Sequence, residues 1–331
     1  LVNPHDICFW PAWSLWKPSL LDIDDIDEIG PGATDSLVPQ DEPKALRAYR
    51  DGYHAAYGPR PIMRWVYRRN PELYRKFYCS LMRRVDRHIT ALLETLETTG
   101  LKETTHVVCT SDHGELLGAH GSLHQKWYNA FEETLRVPLV IAMADQSDTQ
   151  GTVRSDLTTH EDLAPTLLSM AGIEAALPEE RGRGFERAPP LLGRDILDAR
   201  AESMSYFVTL DDILAGQTPN AAIGRRFPWL GALWPMRYPD LGVDNHAVEA
   251  LVEHLPAQDG EERSIWKLVR YFNPAKSSPA DSDEWMLINL SRDPIEAHDV
   301  IGDEDVQGVK EAMLEKLSEA RAKAKQEAAP V

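Results

Sequence analysis

Two side chains able to share a cation stand next to each other where a short apolar run ends. The segment Thr110-Ser111-Asp112-His113-Gly114-Glu115 sets a carboxylate beside an imidazole, and the glycine that follows lets backbone approach closely. Carboxylates and neutral imidazoles both bind divalent metals, and open α/β sheets hold their ligands at the carboxyl ends of strands. The same residues have a plainer reading, in which Asp112 caps the next helix and His113 is a satisfied polar neighbour. Downstream stand Gly118-Ala119-His120-Gly121, His124, Lys126 and Arg136-Val137-Pro138-Leu139-Val140. A lysine is a compact charge able to neutralise an anionic group, and Lys126 alone is equally an ordinary exposed lysine. His120 and His124 suit packing or the support of other ligands at least as well as chemistry. Near the start, Val2-Asn3-Pro4-His5-Asp6 offers a histidine whose near-neutral pKa suits proton transfer, although His5 alone reads as a loop residue in solvent.

The elements that must position these residues are legible in outline. His106-Val107-Val108-Cys109-Thr110 is the β-branched run of a buried parallel strand, with Cys109 expected as a small buried apolar residue. Before it, Leu73, Phe77, Leu81, Val85, Ile89, Leu92, Leu93 and Leu96 recur at three- and four-residue steps, which predicts a long amphipathic helix over Pro71 to Thr99 that stops at Gly100. Val137 to Ala142 repeats the strand signal, and Asp162 to Ala171 reads as a helix with Pro165 in its first turn and Gly172 as its stop. Strand and helix alternate, which predicts an α/β fold with a mostly parallel central sheet flanked by helices. After about residue 200, runs such as Trp266 to Phe272 and Trp285 to Leu290, with a closing helix from Val306 to about Glu327, predict a smaller C-terminal antiparallel sheet plus helix. The expected division is a partial α/β catalytic domain at 1–200 and an α+β subdomain at 201–331. From Pro11 to Pro59 recurrent Pro and Gly, with an acidic run broken by isoleucines, read as a long surface excursion.

Composition removes some partners. The 331 residues carry a formal net charge of -18, opposite in sign to what a nucleic-acid binder needs, so no nucleic acid is expected as ligand. No apolar run is long enough to cross a bilayer, so no membrane partner is expected. Cys8, Cys79 and Cys109 are scattered without a CxxC pair, which favours a reducing, cytoplasmic setting. The chain opens at Leu1 without an initiator Met, as though a strand were entered partway, so export stays open. A homo-oligomer is left open as well.

Taken together, Ser-Asp-His-Gly-Glu at the end of a strand, Gly-x-His-Gly, a lysine and Arg-Val-Pro-Leu resemble the signature of the sulfatase family, within the alkaline phosphatase superfamily. Three further segments resemble that family: Tyr78 to Leu96 with Val85-Asp86, Asp162-Leu163-Ala164-Pro165-Thr166-Leu167-Leu168, and Leu290-Ser291-Arg292-Asp293-Pro294-Ile295-Glu296. The resemblance covers most of residues 1 to 300, weakly over 11–59 and 210–260. It implies an alkaline phosphatase-like α/β fold and metal-dependent cleavage of a sulfate ester, on a small molecule or a carbohydrate. It also implies that Asp112 and His113 hold a divalent cation, Ca2+ or Mg2+, which an oxygen-rich site with one nitrogen suits. Lys126 would contact a sulfate oxygen, and His5 would bind the ester and protonate the leaving oxygen. The chain departs from the family in lacking its N-terminal aspartate pair and the Cys-x-Pro-x-Arg or Ser-x-Pro-x-Arg motif whose first residue becomes the formylglycine nucleophile. Cys8 precedes Phe9-Trp10-Pro11 and Cys79 precedes Ser80-Leu81, so neither fits. The expectation is a C-terminal portion of a sulfatase, inactive alone, with the nucleophile on a segment upstream and the Pro11 to Pro59 excursion at the rim of the site. A phosphonate monoester or phosphodiester hydrolase of the same superfamily is one alternative, and a non-catalytic sulfatase-like fragment is another.

Overall fold

The computed structural model describes residues 26, 32, 35, 37–38, 42–52, 71–144, 151–173, 193–198, 204–210, 244–256, 263–276 and 281–327. The chain enters the described structure through α1 (Lys44–Gly52), which falls inside the stretch expected to be irregular surface. Its sequence is mostly polar, but Leu46 and Tyr49 sit three residues apart on one face and are both fully buried. A carboxylate from the far end of the chain meets its first turn, where the Lys44 N–H donates to Glu284 Oε1 at 3.0 Å.

α2 (Pro71–Thr98) is the long helix that the apolar periodicity predicts. Gly100, at φ 71°, ends it, and the 3.0 Å bond from the Leu101 N–H to the Leu96 carbonyl closes the helix end that a left-handed residue permits. Its first half buries Tyr74, Phe77 and Leu81, whereas Ile89, Leu92 and Leu93 on its second half are exposed.

β1 (Val107–Thr110) and β2 (Leu139–Ala142) lie where the sequence put them, and they form a two-stranded sheet. Their pairing is antiparallel, with Val108 opposite Ile141. A mostly parallel sheet is therefore not what the described residues show. A parallel neighbour requires a crossover of a dozen or more residues, usually a helix, whereas residues 111–138 hold only two four-residue helical turns and bring the chain back alongside itself. Cys109 is in the strand but exposed rather than buried. α3 (Leu163–Met170) follows, with Pro165 in its first turn as expected.

The C-terminal antiparallel sheet is present and larger than the two runs that announced it. β3 (Met204–Thr209), β4 (Ala247–Leu255), β5 (Ser264–Phe272) and β6 (Glu284–Asn289) form a four-stranded antiparallel sheet in sequence order. Side chains alternate across it. Val248, Ala250, Val269, Tyr271, Met286 and Ile288 face one core, shared with α1, α2 and residues 116–131. Leu251, Leu255, Trp266, Leu268 and Leu287 face the other, covered by Val309, Met313, Leu317 and Ala320 of α4 (Gln307–Glu327). Burying each such Leu or Val contributes roughly 1.5–3 kcal/mol. The first of these cores also lies under the segment carrying the predicted site.

Candidate active site

Leaving β1, the backbone turns through Ser111 to Gly114. Ser111 Oγ donates to the His113 carbonyl at 2.8 Å, and the His113 N–H donates to Asp112 Oδ1 at 3.0 Å. His160, in the turn before α3, reaches the Ser111 carbonyl through Nε2 at 2.7 Å. Gly114 is required by close approach: its N–H donates to the Thr134 carbonyl at 2.8 Å, and a Cβ there would lie 2.0 Å from the Glu133 carbonyl oxygen.

The pair itself is poised for a cation. His113 Nδ1 lies 2.9 Å from the Gly114 carbonyl, and since a carbonyl can only accept, Nδ1 carries the hydrogen in the neutral ring and Nε2 its lone pair. That lone pair faces Asp112 Oδ2 at 3.5 Å. Two acceptors thus confront each other at a separation that a single cation with ligand distances of roughly 2.3–2.6 Å can bridge. The Asp112 side chain is 82% exposed and that of His113 30%, so an ion can reach them. Burial acts to raise the Asp112 pKa, but His113, which pairs with the carboxylate when its ring is protonated, together with backbone hydrogen bonding and the charge of Lys126, outweighs it and holds the carboxyl below its ordinary value.

Lys126 shares this electrostatic neighbourhood, because its charge acts on both Asp112 and Glu115. Glu115 Oε1 accepts the Gln125 N–H at 2.6 Å and the Tyr74 hydroxyl at 2.9 Å. Desolvation nonetheless pushes the Glu115 pKa up against those bonds. Asp112 and His113 are therefore brought together, Lys126 is near enough for its charge to act on Asp112, and His5 lies outside the described residues.

The sequence reading missed a second polar cluster. His120 is fully buried, stacks on Phe131 with ring centroids 3.6 Å apart, and places Nε2 3.0 Å from Glu133 Oε2. With Glu296 it forms a group whose ligand atoms lie within 4.8 Å of one another, a donor set that metals accept. Here the cation is already supplied by protein. Lys267, fully buried on β5, sits 2.8 Å from Glu296 Oε1, 2.6 Å from Glu132 Oε1 and 2.8 Å from the Ala130 carbonyl, which uses all three ammonium donors. Burial raises the Glu296 pKa despite that ammonium. The cluster is accordingly an ion network joining β5 to the turn that supports Gly114. One signal for it was available, since Lys267 has the same parity as Val269 and Tyr271 on the inward face of β5. Glu115 was marked only as the last residue of Ser-Asp-His-Gly-Glu, with no role attached to it.

The sequence model of the sulfatase family, described simply as Sulfatase, matches residues 32–173, which include Asp112, His113 and Lys126. Residues 32–173 of the chain are thus similar to the sulfatase family. An N-acetylglucosamine-6-O-sulfatase of Bacteroides thetaiotaomicron is 25% identical over 260 residues, covering 78% of this chain and 37% of its own length. Among solved structures, a 2-O GAG sulfatase aligns with TM-score 0.55 at 16% identity over 98% of this chain and 58% of that one. The phosphonate monoester hydrolase SpPMH of Silicibacter pomeroyi aligns with TM-score 0.53 at 19% identity, over 86% and 50%. These likenesses show the α/β fold, and the chain spans between about a third and three fifths of the length of these three relatives.

Proposed function

We propose that this chain forms part of a sulfatase, a metal-dependent sulfuric ester hydrolase acting on a sulfated carbohydrate or small-molecule sulfate ester. The observation that carries the reading is the confrontation of Asp112 Oδ2 and His113 Nε2 at 3.5 Å, both with lone pairs, at the end of β1 within the sulfatase match. Asp112 and His113 would hold a divalent cation, Ca2+ or Mg2+, and when bound it supplies Lewis-acid polarisation of a sulfate oxygen. Lys126 would neutralise a second sulfate oxygen, placing positive charge where negative charge grows in the transition state. His5 is assigned proton donation to the leaving oxygen, on the family resemblance alone. None of the three cysteines stands in a Cys-x-Pro-x-Arg context, so the nucleophile, a formylglycine by resemblance, is assigned to polypeptide other than these 331 residues. The carbohydrate preference is supported by the name of the N-acetylglucosamine-6-O-sulfatase relative.

Steady-state hydrolysis of glucosamine 6-sulfate and of an aryl phosphonate monoester by the intact enzyme tests this. The expected result is a higher kcat/KM on the sulfate ester, abolished by chelation and restored by Ca2+ or Mg2+. A higher value on the phosphonate would move the chain to the chemistry of the Silicibacter relative. Turnover insensitive to chelation would remove the metal.

A further inference from the structure

The segment that carries Lys126 is strained, and something must hold it. Between residues 116 and 128, Leu117, His120, Ser122, Gln125 and Tyr128 have φ between 49° and 73°, though none is glycine. Each such residue costs on the order of 1–2 kcal/mol, and strain of this kind persists only where the surroundings over-determine it. α1 and α2 fix the earlier part: Tyr49 Oη donates to the His124 carbonyl at 2.8 Å, Arg50 Nε to the His120 carbonyl at 3.0 Å, and Arg75 Nε to the Leu117 carbonyl at 3.4 Å.

The last strained residue before Lys126 is Gln125, and it is gripped from both sides. Its N–H donates to Glu115 Oε1 at 2.6 Å, and its carbonyl accepts the Leu116 N–H at 3.1 Å. Glu115 Oε1 is itself fixed by the Tyr74 hydroxyl at 2.9 Å. Because Glu115 follows directly on Asp112-His113-Gly114, one carboxylate ties the backbone that launches Lys126 to the segment that carries the metal pair.

We propose that Glu115 is a positioning residue for the sulfate-binding lysine: by accepting the Gln125 N–H it locks the left-handed backbone at Gln125 and fixes the backbone that carries Lys126. An anion held by Lys126 then faces the cation site. This rests on the sulfatase reading of Lys126, and Glu115 touches neither ester nor metal. What matters is the acceptor oxygen, so Glu115→Gln, which keeps one, retains the arrangement better than Glu115→Ala.

Two measurements decide it. Hydrogen exchange of the chain, followed by mass spectrometry, should show the peptide containing Gln125 and Lys126 exchanging about tenfold faster in Glu115→Ala, largely restored in Glu115→Gln, with the peptides of β4 to β6 unchanged. Equal protection in Glu115→Ala and the unaltered chain overturns the proposal, and so does loss of protection throughout the molecule, which marks Glu115 as a general stabiliser. In the intact enzyme, Glu115→Ala should lower kcat/KM about tenfold when Lys126 is present and less than about twofold in a Lys126→Ala background, the non-additivity of residues acting through one another. The same loss in both backgrounds overturns the claim that Glu115 acts through Lys126. An enzyme that turns over phosphonate monoesters, or neither substrate, removes the sulfatase reading, while the exchange result judges the lock at Gln125 independently.

Discussion

At the residue scale, the decisive feature is that the His113 ring is oriented before any ion arrives. The Gly114 carbonyl takes the Nδ1 hydrogen, so the Nε2 lone pair is directed at Asp112 without rotation or change of tautomer. Asp112→Asn tests the carboxylate with minimal change of shape, because the amide oxygen can still accept the His113 N–H that now meets Oδ1. Titrating the chain with Ca2+ by calorimetry should show affinity falling at least about tenfold in Asp112→Asn, with the helical signal unchanged. An unchanged affinity would place the ion elsewhere. These residues were legible in the sequence because a metal pair and a lysine at fixed spacing form a local pattern. The roles of Glu115 and Lys267 were not, because they lie in partners supplied by distant parts of the chain, Tyr74 in one case and Glu296 in the other.

At the element scale, β5 does more than complete a sheet. Lys267 links it to the turn at residues 130–134, and that turn holds Gly114 beneath the metal pair. Removing the ammonium leaves the Glu132 and Glu296 carboxylates facing each other without their shared cation. Lys267→Met should therefore destabilise by about 3–5 kcal/mol in urea unfolding, and adding Glu296→Gln should recover part of the loss by removing the more deeply buried uncompensated charge. On the opposite face Glu249 of β4 takes Arg270 and Arg321, joining two strands to α4. Burial acts to raise its pKa, but hydrogen bonds and charge from Arg321 and Arg270 prevail and lower it. A carboxylate whose folded pKa is depressed contributes stability that is complete above its unfolded value and lost as pH falls through the folded one. Urea midpoints should thus drop as pH goes from neutral to below 4.5, the ordinary Glu value, and Glu249→Gln should show a shallower drop from a lower starting stability. The sheet and α4 were legible because alternation and helical spacing are local, whereas β4 was obscured by Glu249, Glu253 and His254 interrupting its apolar run. α1 was hidden for the opposite reason, since only Ala45, Leu46 and Tyr49 of a polar segment face the core.

At the scale of the whole molecule, apolar burial is unevenly distributed. The C-terminal sheet has a core on each face, while Leu92 is 67% exposed on α2, Val140 60% on β2, and Leu167 and Ile173 around α3 are about half exposed. A two-stranded sheet is marginal without further layers, so β1 and β2 should be the least protected of the described strands. Substitutions in the sheet cores therefore change stability, and substitutions at these exposed side chains change what the surface binds. Leu92→Gln with Val140→Thr should leave the urea midpoint within about 0.5 kcal/mol of the unaltered chain, because neither side chain loses a packed environment. The same double substitution should reduce the fluorescence of an apolar dye such as ANS and weaken self-association at high protein concentration, since it removes two exposed apolar side chains. A drop in stability as large as that of a core truncation, on the order of 2–5 kcal/mol, would show that these side chains are packed in solution and that the exposed face is covered.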